Sequence, residues 1–109
     1  MTQNMHFLLS SLDPLVRSGL PERKRIELLF KTVKPTLSTD DMSAFNTLQL
    51  LSQNYLENQD RLLESKQANF RRYLDDDDLE YKRRAFQSMK DDAKTELINY
   101  MDELTSTGN

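Results

Sequence analysis

DDDDLEYKRRAFQSMKDDAKTELINYMDEL, residues 75–104, decides the fold. Leu79, Arg83, Phe86, Met89, Ala93, Leu97, Tyr100 and Leu104 recur at steps of three or four residues, the spacing that puts side chains along one face of an α-helix. Ile98 and Met101 broaden that face. The helix is expected to run from about Asp78 to Thr105. The four aspartates that open the stretch repel one another inside a continuous helix, yet they are favourable at a helix N-terminus. A turn is therefore expected near residues 75–77, with the fourth helix starting at the acidic run.

Working back from that turn, the chain holds no glycine or proline between Thr36 and Thr107, so a second long helix is expected from Asp40 to about Leu74. Met42, Phe45, Leu48, Leu51, Tyr55 and Leu56 supply its apolar side, Ser38 or Thr39 its cap, and Asp40 and Asp41 its acidic first turn. Two long helices joined by a tight turn make an antiparallel hairpin. Upstream, Pro21 to Lys34 reads as a shorter amphipathic helix, with Ile26, Leu29, Phe30 and Val33 on one side. Asn4 to Ser18 reads as a first helix, either kinked or split at Asp13-Pro14, ending at Gly19. The expected fold is all-α, a single domain over 1–109. Two short N-terminal helices (1–37) pack on a long antiparallel helical hairpin (38–105), and a frayed tail covers 106–109.

Composition excludes several functions. The chain has no cysteine, so disulfides, thiolate metal sites and thiol nucleophiles are impossible. No apolar run reaches the roughly twenty residues of a membrane span, and Met1 to Leu12 lacks the basic region of a secretory signal. A cytoplasmic protein is the expectation. His6 is the only histidine and has no recognisable serine–aspartate arrangement around it, so it reads as a surface or capping residue. Glu57-x-x-Asp60 and Asp77-x-x-Glu80 have the spacing of carboxylates that share Mg²⁺ between helices. A hairpin turning at residue 76 keeps them about 20 Å apart, from 1.5 Å of rise per residue. No catalytic residue, no metal ligand and no cofactor site is expected.

Binding remains. Residues 1–37 carry a net charge of +3 and residues 38–109 a net charge of −6. Arg23, Lys24, Arg25 and Lys31 cluster on the second helix and could meet nucleic-acid phosphates. That is the alternative function, a nucleic-acid-binding regulator. Arg71, Arg72, Lys82, Arg83 and Arg84 flank the aspartate run and are expected to pair with it. Apolar surface carries the leading expectation. The first two helices can cover only the end formed by Phe45–Leu56 and Met89–Leu104. Tyr81, Met89, Ile98 and Met101, with Phe70 and Tyr73, then exceed what a slender hairpin hides. A small non-catalytic protein–protein interaction module follows, an adaptor, inhibitor, assembly factor or chaperone. It would bind another protein or a second copy of itself through Phe70, Tyr73, Leu74, Leu79, Phe86 and Met89, residue types that favour interface centres.

Overall fold

A computed structural model describes residues 2–66 and 76–107, and it contains four α-helices and no strand among them. The helices are α1 (Gln3–Arg17), α2 (Arg23–Val33), α3 (Met42–Ser65) and α4 (Asp76–Thr107). Two 3₁₀ turns, Lys34–Thr36 and Thr39–Asp41, link α2 to α3. α3 packs along α4, α1 lies on α2 and α4, and α2 lies on α3.

Thr2 starts α1: its hydroxyl accepts from the Met5 backbone N–H at 3.3 Å, satisfying a donor that has no partner inside the helix. Met5, Leu8, Leu9, Leu12 and Val16 recur at helical spacing and are all buried. Of the two forms open at Asp13-Pro14, one helix running through Pro14 is found. It ends at Gly19, whose φ of +75° is a left-handed conformation that costs other residues energy. An added Cβ would meet only Lys94 Nζ, at ordinary contact distance, so the demand for glycine here is conformational.

α2 begins at Arg23, two residues after the expected Pro21, and buries Ile26, Phe30 and Val33. Phe30 meets Phe45 of α3 edge to face with ring centroids 5.4 Å apart, a favoured geometry for two aromatic quadrupoles. α3 stops at Ser65, short of the expected Leu74. The remainder of that expected helix, including Phe70, Tyr73 and Leu74, lies outside the described residues. α4 begins at Asp76, two residues before the expected Asp78 and inside the stretch where the turn was expected; residue 75 lies outside the described residues. Asp76, Asp77 and Asp78 carry favourable charge for a helix N-terminus.

One register detail in α4 differs from the expected seam. Leu79, Arg83, Phe86, Ala93, Leu97, Tyr100 and Leu104 do turn inward or sit half-buried, but Lys90 is buried in the place assigned to Met89. Both positions fit a three–four alternation between Phe86 and Ala93. Lys90 is selected because its ammonium donates to the Gly19 carbonyl at 3.0 Å, tying α4 to the α1–α2 turn. Burial holds this lysine below its ordinary pKa. Met101 is buried and Ile98 half-buried against the same core, so neither adds to the surplus apolar surface.

A second tie joins the starts of α1 and α3. The Asp41 carboxylate accepts from the Thr2 hydroxyl at 2.6 Å and from the Thr2 N–H at 3.2 Å. Those bonds hold Asp41 below the usual carboxylate range. Because the folded-state pKa is the lower one, the stabilisation is complete above the unfolded value of about 3.9 and is lost as pH falls through the depressed folded value. The wild type is expected to lose about 1 kcal/mol over that acid window that Asp41→Asn does not lose. Urea unfolding at a series of pH values, compared between the two proteins, reads the difference.

Candidate interaction surface

Of the six residues predicted for the partner surface, Phe70, Tyr73 and Leu74 lie outside the described residues. The other three diverge. Leu79 is only 4% exposed, Phe86 is half-buried and Met89 is 42% exposed. Leu79 is buried and offers little surface to a partner. Two residues not in that set are more open: Tyr81 at 74% and Leu63 at 49%. Tyr81 lies four and eight residues before Ala85 and Met89, so the three form one stripe along α4. That relation was readable in the sequence, but Tyr81 sits off the inward seam on which the prediction was built.

Where α1 and α2 stop explains the exposure. Arg23, at the start of α2, pairs with Asp60 of α3 and with Glu27 at 3.3 Å. Leu63 lies one turn past that pair, on the continuation of the α3 stripe of Ser52, Leu56 and Asp60 that faces α2. Lys90 marks the level of the α1–α2 turn on α4, and Tyr81 lies more than two turns from it. Arg84 holds Glu80 at 3.0 Å, exposed on both sides. Exposed ion pairs contribute only about 0–1 kcal/mol each. These outer parts of α3 and α4 bury polar groups alongside Leu62 and Leu79: Asn58 and Ser65 are buried, Arg83 is half-buried, and Asn58 Oδ1 and Arg83 Nε have no hydrogen-bond partner among the described residues.

The basic group on α2 is partly engaged. Arg23 serves Glu27 and Asp60, and Arg25 pairs with Glu22 at 3.1 Å. Lys24 and Lys31 are exposed. Two guanidinium groups held by carboxylates weaken the field offered to a polyanion. Arg17 is likewise occupied, by Asp13 and by Asp102, both at 2.7 Å.

Concavities among the described residues include three between helices. An open groove of about 700 Å³ between α1 and α4 is lined by His6, Phe7, Asp13, Met101 and Asp102 among others. One of about 350 Å³ sets Glu96 of α4 beside Leu50, Asn54 and Glu57 of α3. A third, of about 230 Å³, lies between α2 and α3. No group of three or more histidine, aspartate or glutamate side chains that could hold a metal ion occurs among the described residues, and no helix there is long and apolar enough to cross a membrane. Compared with known proteins, the chain matches no family model, no curated protein and no solved structure.

Proposed function

We propose that this chain is a small non-catalytic protein–protein interaction module whose partner is a second copy of itself, docked on the outer part of α3 and α4. The supporting observation is the exposure of Leu63 and Tyr81 beyond the cover of α1 and α2, with Met89 exposed on the same stripe of α4 as Tyr81. In this reading α3 and α4 are the arms of an antiparallel hairpin. Asp91 acts on Tyr55, and Glu96, further along α4, sits beside residues 50–57 of α3. Leu63 and Tyr81 then fall at similar levels on the two arms.

Charge order favours a second copy as the occupant. Around Tyr81 the sequence reads Asp78-Leu79-Glu80-Tyr81-Lys82-Arg83-Arg84. Reversing this segment about Tyr81, as a two-fold axis does, sets Glu80 opposite Lys82 of the partner subunit and Asp78 opposite Arg84 of the partner subunit. Tyr81 meets its own equivalent at the axis. The charges set orientation and discourage a parallel pairing, in which like would meet like. Tyr81, Met89 and Leu63 supply the apolar contact. A patch this small lies at the low end of interface areas, so the dimer is expected to form at micromolar concentrations and to dissociate on dilution.

Light scattering on a size-exclusion column tests this. The wild type is expected to elute with twice the protomer mass at high micromolar concentration and to fall toward one mass on dilution. Tyr81→Glu, with its helical circular dichroism intact, is expected to remain a monomer throughout. A wild type that stays monomeric, or a dimer indifferent to Tyr81→Glu, overturns the proposal.

A further inference from the structure

The cavity between α2 and α3 combines three features that belong together only if something binds there. Its floor is apolar: Ile26 and Phe30 from α2 and Leu56 from α3, all buried. Its rim carries Lys31 near the end of α2 and Lys34 in the 3₁₀ turn that follows, both exposed, with Gln49 and Gln53 on α3. Ser52 also lines the cavity; it is only 1% exposed, and its hydroxyl has no hydrogen-bond partner among the described residues. A buried hydroxyl left unpaired is disfavoured, because it loses its water and gains nothing in return. Glu27 also lines the cavity, but its carboxylate is engaged by Arg23. Lys31 and Lys34 pair with no carboxylate among the described residues.

We infer that this cavity is a binding site for a small aromatic acid with a hydroxyl or carbonyl group opposite its carboxylate. Each part of such a molecule has a counterpart. A single ring lies on Phe30, Ile26 and Leu56. The inner polar group hydrogen-bonds to the Ser52 hydroxyl, which can donate or accept. The carboxylate sits at the rim between the two ammonium groups. The volume, about 230 Å³, is below the usual range for drug-sized ligands, which restricts the occupant to about one ring and its substituents. The site is on the opposite side of α3 from α4 and is independent of self-association.

The test is an amide-resolved NMR titration of the full chain with 4-hydroxybenzoate, benzoate and phenol. For 4-hydroxybenzoate, saturable shifts are expected around Ile26, Phe30, Ser52 and Leu56, with a dissociation constant near about 1 mM, the strength that about ten heavy atoms can supply. Benzoate and phenol are each expected to bind at least about fivefold more weakly, the scale of one lost hydrogen bond or one ionic contact. In Ser52→Ala the advantage over benzoate should vanish. In Lys31→Gln/Lys34→Gln the advantage over phenol should vanish. Both changes are small or exposed, and circular dichroism checks that the helices persist. Shifts that do not saturate or that scatter over the whole surface overturn the inference, as do ligand preferences unaltered by both variants.

Discussion

Replacing Phe45 with alanine is expected to lower the unfolding free energy by about 3–5 kcal/mol. Phe45 is fully buried on the first turn of α3, and it meets Phe30 edge to face. It therefore joins α2 to α3, next to the segment where Asp41 binds the start of α1. Removing the ring takes away its transfer energy, leaves a cavity and ends the aromatic contact at once. A chain of this length buries a smaller fraction of its surface than larger domains do, so its margin is expected near the low end of the usual 5–15 kcal/mol. Phe45→Ala should then leave a substantial unfolded population at 37 °C. Thermal and urea unfolding followed by circular dichroism measure it. A loss below about 1 kcal/mol would mean that α2 does not rest on α3 as described.

Leu97→Ala is expected to cost about 2–5 kcal/mol, whereas Met89→Ala should change the stability of the monomer by less than about 1 kcal/mol. Leu97 is completely buried in the common core, while Met89 keeps 42% of its surface in water. The pair tests the register of α4. A helix rotated so that Met89 replaced Lys90 in the seam would make the two losses comparable. Denaturation at low protein concentration keeps self-association from contributing.

Much of this register was legible in the sequence. The three- and four-residue spacing from Leu79 to Leu104 identifies the inward face of α4, while the helix already includes Asp76 and Asp77, where a turn was expected. Gly19 is visible as local chemistry, but the cap expected at Ser38 or Thr39 was misplaced: those residues open a 3₁₀ turn, and α3 begins at Met42 after Asp41, which makes no side-chain cap bond. Lys90 was not legible, since Met89 satisfies the same spacing and hydrophobicity alone prefers it. What decides between them is the Gly19 carbonyl, a tertiary partner 71 positions away. Ser52, Asn58 and Ser65 were hidden for a related reason. Polar side chains on α3 read as solvent-facing, and only the packing of neighbouring helices buries them. The cavity between α2 and α3 has no signature in periodicity, because it arises from imperfect contact between two faces that are each regular. The docking surface was half visible. The surplus of apolar residues at the outer end could be counted, Tyr81 among them, but the expected partner set followed the inward seam to Leu79 and left Tyr81 out.

Because the chain has no cysteine, a single introduced thiol reports contact between copies without interference. Tyr81→Cys, placed at the proposed two-fold axis, should oxidise readily to a covalent dimer at micromolar concentration. Leu28→Cys, at a position on α2 that is 63% exposed against 74% for Tyr81, should remain largely monomeric under the same treatment. Equal crosslinking at the two positions, or none at residue 81, would contradict self-docking of α4 through Tyr81.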